Sequence, residues 1–242
     1  MKDITLLELL QSGAHFGHKT SRWNPKMKPY IFTVRNDIHI LDLEKTRKAL
    51  AKALDFAGQI AQAGGTILFI GTKRQARKIV EEQAQACGQP YINVRWLGGT
   101  FTNFKTIQRT VRKLEKLQEL KASGLLESRY TKKERLLVER EIEKLQKLFA
   151  GMKDMKRIPQ AIFIADVNHD DIALAEARKM KVPVIAIVDT NSDPEGIDYP
   201  IPCNDDATAA IELITTAFAQ CIKEKKAAAP AVTAPAPATT QA

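Results

Sequence analysis

Three short runs of consecutive apolar residues give the chain its main pattern. They lie at residues 66–70 (TILFI), 161–165 (AIFIA) and 184–188 (VIAIV), and residues 91–94 supply a further candidate strand. Unbroken apolar runs of this length are typical of strands buried on both faces, as in parallel sheets. Their alternation with helical patterns predicts an α/β fold whose parallel sheet is covered by helices on both faces. Helices are expected at residues 72–86, about 172–180 and about 206–225.

The chain opens with a different pattern. Thr5 and Glu8 have the spacing of a capping box, which predicts a short first helix. Residues 15–32 lack helical period, contain two prolines and read as an extended basic and aromatic arm. Residues 30–34 and 38–41 are separated by Arg-Asn-Asp and predict a β-hairpin, because Asn and Asp tolerate left-handed backbone. An Asp at position 42 then predicts the start of a long helix.

Residues 105–157 form the most distinctive segment. Apolar positions recur at steps of three and four from Ile107 to Leu117 and again from Val138 to Phe149. This pattern predicts an inserted antiparallel coiled-coil helical hairpin. The predicted organisation is therefore residues 1–104 for the N-terminal helix, the basic arm and the first half of the α/β domain, 105–157 for the hairpin, 158–225 for the second half, and 226–242 for a disordered Ala/Pro/Thr tail.

Charge is distributed very unevenly along the chain. The formal net charge is +9, but residues 1–157 sum to +15 and the remainder to −6. Residues 105–157 alone carry sixteen basic and eight acidic side chains. A localised positive surplus indicates an anionic partner, either nucleic acid or a membrane surface. The acidic remainder makes a second, different partner plausible.

The chain lacks the sequence motifs of several classes of protein. The turn after the first apolar run has the single glycine Gly71, and neither GxGxxG nor GxxxxGK[ST] occurs, so no dinucleotide or ATP site is expected. No nucleophile and base arrangement is recognisable, so no catalysis is predicted. Three cysteines without CxxC spacing favour a reducing compartment. Because neither a signal peptide nor a membrane helix is indicated, we expect a cytoplasmic protein.

Basic, aromatic and polar side chains concentrate in segments that suit RNA. Lys and Arg bind phosphate, and aromatic planes can stack on bases. For the basic residues after Gly71, a solvated helix surface is an equal alternative. For Trp96 and Phe104, a place in the core is the preferred explanation. The candidate RNA contacts are His18, Lys19, Arg22, Trp23, Asn24, Lys26, Lys28, Lys73, Arg74, Arg95, Thr100, Asn103, Lys105 and Arg109.

The acidic half of the chain holds a candidate metal site. His169 and Asp189 follow two of the predicted strands, and Asp205 precedes the last helix. The carboxyl ends of parallel strands lie along one edge of a sheet, so these groups can converge there. Carboxylates with an imidazole suit a divalent ion, Zn²⁺ or Mg²⁺. The competing and stronger explanation is that such residues cap helices and form turns, so no cofactor is required.

Several motifs follow one another in a fixed order: LLELLQSGAHFGHKTSRWNPKMKPYIF, RNDIHILDLEKT, FIGTKRQA, WLGGTFTNF, PQAIFIADVNHDDIALAEARKMKVPVIAIVDTNSDP and IPCNDDA. Together they resemble the small-subunit ribosomal protein two family, bacterial type, over about residues 3–224. The resemblance implies a flavodoxin-like or Rossmann-like sheet that carries a protruding helical hairpin.

The resemblance also implies a structural role without catalysis. It implies a chain bound to 16S ribosomal RNA between the head and body of the small subunit. The implied protein partners are small-subunit ribosomal protein one, whose docking the family supports, and neighbouring small-subunit proteins, with neither membrane nor small-molecule substrate. The competing hypothesis from the residues alone is a metal-dependent, phosphate-handling α/β enzyme that uses His169, Asp189 and Asp205. The missing phosphate loops and the charged hairpin argue against it.

Overall fold

The computed structural model describes residues 4–126 and 130–228. Short 3₁₀ helices occur at Thr20–Arg22, Pro25–Tyr30 and Ala150–Met152. The helices and strands in chain order are α1 (Leu6–Gln11), β1 (Phe16–Lys19), β2 (Ile31–Arg35), β3 (Ile38–Leu41), α2 (Leu43–Gln62), β4 (Ile67–Ile70), α3 (Arg77–Cys87), β5 (Tyr91–Ile92), α4 (Phe104–Ala122), α5 (Lys132–Phe149), β6 (Ala161–Ile164), α6 (Asp171–Met180), β7 (Val184–Val188), β8 (Tyr199–Pro202) and α7 (Thr208–Ala228).

A five-stranded parallel sheet forms the centre of the fold, in the order β5-β4-β6-β7-β8. Every residue of β4, β6 and β7 is buried, as their continuous apolar sequences predicted. The predicted α/β class with a parallel sheet between helices is confirmed. The strand β8 was not predicted from the sequence.

The two faces of the sheet pack into separate clusters because successive side chains of a strand point in opposite directions. On one face, Phe69 and Phe163 lie with centroids 5.3 Å apart, and Phe163 contacts Phe218 of α7 at 4.9 Å; α2 and α3 cover the same face. On the other face, Leu68 and Ile162 pack with α6, α4 and α5. The core therefore includes the start of the charged segment.

The N-terminal region forms a second, antiparallel sheet in the order β1-β3-β2. The predicted hairpin is confirmed, and Asn36 and Asp37 turn it with φ of 50° and 59°. The predicted capping box of Thr5 and Glu8 is also present. The basic arm is not extended throughout as predicted, because the strand β1 is followed by the two 3₁₀ helices Thr20–Arg22 and Pro25–Tyr30. The backbone N–H of Asn24 donates to the Thr190 carbonyl at 2.7 Å, which ties the arm to the edge of the parallel sheet.

The charged segment contains the helices α4 and α5. Leu114 is fully buried and belongs to one cluster with Ile142 and the sheet residue Ile162, so the base of this pair is part of the core. Ion pairs also bridge the two helices, from Lys113 to Glu141 beside these buried residues and from Lys121 to Glu139 near the end of α4. The coiled-coil geometry of the pair stays a prediction, as do the four segment boundaries.

Two predicted features fall partly or wholly outside the described residues. They are the turn at about residues 122–130, of which 127–129 are not described, and the tail, of which residues 229–242 are not described. Lys226 belongs to α7, so that helix extends past the boundary predicted for it. Among the residues that the structure describes, no helix is both long and apolar enough to cross a membrane.

Candidate functional site

The carboxyl ends of the sheet strands bring charged side chains together. Loops after β4, β6, β7 and β8 supply Lys73, Asp166, Asp189 and the pair Asp205 and Asp206. The Nζ atom of Lys73 lies 2.7 Å from carboxylate oxygens of both Asp205 and Asp206, and 2.9 Å from one of Asp166. The acidic groups that the sequence placed at one edge therefore meet there, around a lysine.

Burial and charge change the protonation of this cluster. Burial alone would lower the pKa of the Lys73 ammonium, but its bonds to Asp205, Asp206 and Asp166 hold the pKa well above its usual value. Burial and the charges of Asp166 and Asp189 raise the pKa of Asp205 to about 7, against the opposing effect of Lys73. The Lys73 side chain is 14% exposed. Its ammonium thus acts as the internal counterion of the acidic cluster.

His18 of β1 reaches the same cluster. Its Nδ1 lies 3.2 Å from an oxygen of Asp189, and its Nε2 lies 3.4 Å from an oxygen of Asp206. The Asp189 carboxylate at this distance raises the pKa of His18 above its usual 6.5, against the lowering effect of burial. The backbone N–H of His18 donates to the Thr190 hydroxyl at 2.8 Å, which fixes β1 at this edge.

One group of side chains here brings three groups capable of binding a metal close together. Ligand atoms of His18, Asp189 and Asp205 all lie within 4.8 Å of one another. One imidazole nitrogen with two carboxylate oxygens is a donor set that Zn²⁺ accepts. His169, which the sequence grouped with the two aspartates, is not in this group, and its Nδ1 lies 2.7 Å from the Thr72 hydroxyl. The histidine that lies with Asp189 and Asp205 is therefore His18 and not His169.

A buried glutamate holds the loop between β5 and α4. Glu176 accepts hydrogen bonds from the Trp96 indole N–H at 3.2 Å and the Gly99 N–H at 2.6 Å. Its other oxygen accepts from the Phe101 N–H at 2.9 Å, the Thr102 N–H at 3.1 Å and the Thr102 hydroxyl at 3.2 Å. Burial would raise the pKa of Glu176, but these donors hold it below its usual value. The carboxylate is therefore an ionised anchor for the loop.

This anchoring decides which loop residues face outward. Thr100 is 1% exposed and donates its hydroxyl to the Leu97 carbonyl at 2.6 Å. Trp96 is 5% exposed, so its preferred place in the core is confirmed. Asn103 is exposed where α4 begins, and its side-chain oxygen accepts from the Thr106 hydroxyl at 2.8 Å. Of the loop's candidate contacts, Asn103 is accessible and Thr100 is not.

Other candidate RNA contacts are held by neighbours. Lys26 forms ion pairs with Asp193, at 2.8 Å, and with Glu195. Asn24 caps the following 3₁₀ helix, and its side-chain oxygen accepts from the Lys26 N–H at 3.0 Å. Trp23 is partly buried, with its ring centroid 5.1 Å from that of His39. These side chains shape the arm around the edge of the sheet.

A set of exposed cations remains, which we call the basic surface. Its side chains are exposed and have no ion pair to another residue in the described ranges. Uncompensated cations of this kind are the usual partners of phosphate. They are Lys19, Arg22, Lys28, Arg74, Arg95, Lys105 and Arg109.

Exposed apolar side chains form a second kind of surface, between α1 and the antiparallel sheet. Leu7 is 61% exposed, Leu10 50% and Phe32 75%. They border a groove of about 480 Å³ that Ile40 and Leu43 also line. Contiguous exposed apolar side chains mark sites of protein contact. We call these five residues the apolar surface.

Comparison with known proteins identifies the family. The family model described as ribosomal protein S2 matches residues 9–225. The chain belongs to the ribosomal protein S2 family. A curated relative, small ribosomal subunit protein uS2 of Geotalea uraniireducens (strain Rf4), is 50% identical over 224 residues, which are 93% of this chain and 87% of the relative. The resemblance in the ordered sequence motifs is thereby confirmed.

Membership of the S2 family determines the class of protein. The chain is a structural protein of the small ribosomal subunit, located in the cytoplasm with that subunit, and it is not an enzyme. The phosphate-handling enzyme considered from the residues has no support in the family or in the relative.

Two residues of this S2-family chain have contacts that the sequence did not predict. Glu176 was not singled out, and His18, predicted as an RNA contact, lies against Asp189 and Asp206. A signal for Glu176 was present, because it lies beside Ala173 and Ala177 on the buried side of α6. An acidic residue on such a face needs strong hydrogen-bond donors. No comparable signal joined His18 to Asp189, which lies far away in the sequence.

Proposed function

We propose that this S2-family chain binds 16S ribosomal RNA, between the head and body of the small subunit, through its basic surface. One observation carries the proposal: the acidic cluster contains its own cation, Lys73, whereas the cations of the basic surface have no ion pair among the described residues. When exposed, unpaired Lys and Arg side chains neutralise phosphates, the cations condensed on the RNA are released, and this release drives binding. The cations of the basic surface are therefore available to phosphate, whereas Lys73 is not.

The geometry refines the set of candidate contacts. Lys73 and Lys26 are bonded to carboxylates, and the hydroxyl of Thr100 is buried. We therefore place none of these three among the direct phosphate contacts. Asn103 remains beside the basic surface as a polar contact at the start of α4.

Sedimentation with small subunits tests this proposal. The purified chain is added to small subunits depleted of this protein, and the bound fraction is measured after centrifugation. The triple variant Arg22→Ala, Lys105→Ala and Arg109→Ala is expected to lose most binding, because each arginine or lysine is an exposed cation.

The matched control removes three exposed lysines from the acidic half, Lys179→Ala, Lys223→Ala and Lys225→Ala. The control is expected to bind as the unaltered chain does, although its net charge falls by the same amount. Equal loss of binding in both triple variants would contradict a localised basic surface.

We propose further that the apolar surface supports docking of small-subunit ribosomal protein one. The observation that favours this role is the exposure of Leu7, Leu10 and Phe32 around one groove. Burial of these side chains against a protein would stabilise the complex by about 25 cal/mol for each square ångström of apolar area removed from water. A neighbouring small-subunit protein is the alternative occupant of the same surface.

Capture of purified protein one on small subunits tests this docking role. The double variant Leu7→Ser and Phe32→Ser is expected to weaken capture, whereas Ile172→Ser, which alters a 52% exposed side chain of α6, is expected not to. Binding of the double variant to the subunit itself should persist. Undiminished capture of protein one would refute this assignment.

We also propose that His18, Asp189 and Asp205 can bind a divalent cation, Zn²⁺ in preference to Mg²⁺ because an imidazole nitrogen is among the donors. Such an ion would compete with the Lys73 ammonium for Asp205.

A further inference from the structure

Gly98 has no reason within the chain to be glycine. No atom lies within 4 Å of the position that a Cβ would occupy, and its φ is not in the left-handed region. Its neighbour Gly99 differs, because a φ of +90° favours glycine there. Gly98 is also exposed. A missing side chain at an open, unstrained and exposed position fits the close approach of another molecule.

The backbone at Gly98 is held firmly in place. The next residue, Gly99, donates its N–H to Glu176, and Phe101 and Thr102 donate to the same carboxylate. On the inner side, Thr100 bonds back to the Leu97 carbonyl. The loop is thus formed before any partner arrives, and a partner would meet a rigid surface rather than one that must first be ordered.

The charge around this loop indicates the chemistry of the partner. Arg95 precedes Gly98 in the sequence and Lys105 follows it in the first turn of α4; both are exposed and belong to the basic surface. The Glu176 carboxylate is buried and accepts hydrogen bonds from the loop itself, so its oxygens face the loop's own donors. An open glycine flanked in the sequence by exposed cations suits a sugar–phosphate backbone, in which close contact and charge are both needed.

We propose that residues 95–103 form a preformed seat for an RNA sugar–phosphate backbone, in which Gly98 leaves room for the strand and Glu176 is the positioning residue. This inference rests on the proposed RNA-binding function and adds a defined contact point to it. Glu176 does not touch the RNA in this arrangement. It acts through Gly99, Phe101 and Thr102, whose N–H groups it holds.

Substitution of Gly98 gives the most direct test. Gly98→Ala and Gly98→Leu place a side chain in open space, so both variants are expected to keep the melting temperature of the unaltered chain or exceed it slightly. Affinity for depleted small subunits is expected to fall about tenfold or more for Gly98→Leu, and less for Gly98→Ala, because the strand is pushed away.

The dependence of binding on salt separates this effect from a loss of charge. Gly98→Leu removes no cation, so its salt dependence should match that of the unaltered chain while its affinity is lower at every salt concentration. Gly98→Leu binding with unchanged affinity would overturn the seat. If the unaltered chain itself bound without salt dependence, the proposed basic surface would fail instead, so the two failures are distinguishable.

Glu176→Gln tests the positioning role. It replaces one acceptor oxygen by an NH₂ that faces N–H donors, and Glu212→Gln on the exposed side of α7 is the control with the same change in charge. Hydrogen exchange at Gly99, Phe101 and Thr102 should accelerate in Glu176→Gln, and affinity should fall without a change in salt dependence. Accelerated exchange with unaltered affinity would show that the loop need not be preformed.

Discussion

The Nζ atom of Lys73 lies 2.7 Å from a carboxylate oxygen of Asp205, across the carboxyl edge of the parallel sheet. Sequence reasoning grouped this lysine with Arg74 as a phosphate contact, but the two neighbours differ in surroundings. Lys73 lies among three carboxylates, whereas Arg74 is exposed. Lys73 therefore stabilises the carboxyl edge of the parallel sheet, and Arg74 belongs to the basic surface.

This difference predicts opposite behaviour for two adjacent substitutions. Lys73→Met leaves buried carboxylates without their cation and should lower the free energy of unfolding by about 3 kcal/mol, measured by urea denaturation. Arg74→Met should change stability by less than about 0.5 kcal/mol. In RNA binding, Arg74→Met should reduce the salt slope by about one, and Lys73→Met should leave it unchanged. The reverse pattern would contradict the assignment of Lys73 as an internal counterion.

Glu176 predicts a dependence of stability on pH. Its folded-state pKa lies below the usual 4.5, so the stability it contributes is fully present above pH 4.5 and is lost as the pH falls through the folded-state value. Glu176→Gln should cost about 2 kcal/mol at pH 7, because buried N–H donors lose an acceptor. The difference in free energy of unfolding between the two chains should shrink below pH 4.5. A difference that stayed constant down to pH 3 would rule out this linkage.

The metal proposal predicts that one histidine matters and another does not. In calorimetric titration with Zn²⁺, the unaltered chain should give saturable heat, and His18→Ala should abolish it. His169→Ala should retain the heat, because its imidazole lies against Thr72. Zn²⁺ binding that depends on His169 and not on His18 would reject the site described here.

The helix pair predicts a contrast between buried and exposed leucines. Leu114→Ala should lower the free energy of unfolding by about 3 kcal/mol, because Leu114 is fully buried in the cluster that includes the sheet. Leu137→Ala on α5, where the side chain is 56% exposed, should change it by less than about 0.5 kcal/mol. Equal effects would mean that the base of α4 is not part of the core.

Local sequence patterns were sufficient to predict the elements whose burial requires a particular pattern of apolar residues. The strands β4, β6 and β7 are buried on both faces, so they must be continuously apolar. The β8 strand escaped prediction because Pro200 and Pro202 lie within it, and prolines are tolerated there since β8 is an edge strand.

The site was predicted less completely because its contacts join distant parts of the chain. Thr72 donates its backbone N–H and its hydroxyl to Asp170, and α3 begins at Arg77 instead of at position 72. The acidic residues at the sheet edge could be grouped from topology alone. Their pairing with Lys73 and His18 depends on the three-dimensional path of the arm and of the turn, which no local pattern specifies.

The salt dependence of binding to depleted small subunits tests the central claim most directly. The logarithm of the affinity should fall linearly with the logarithm of salt concentration, and the slope should become shallower by about one for each of Arg22→Ala, Arg95→Ala, Lys105→Ala and Arg109→Ala. The control Lys223→Ala should leave the slope unchanged. An affinity independent of salt, or slopes unaltered in all four variants, would contradict RNA binding through the basic surface.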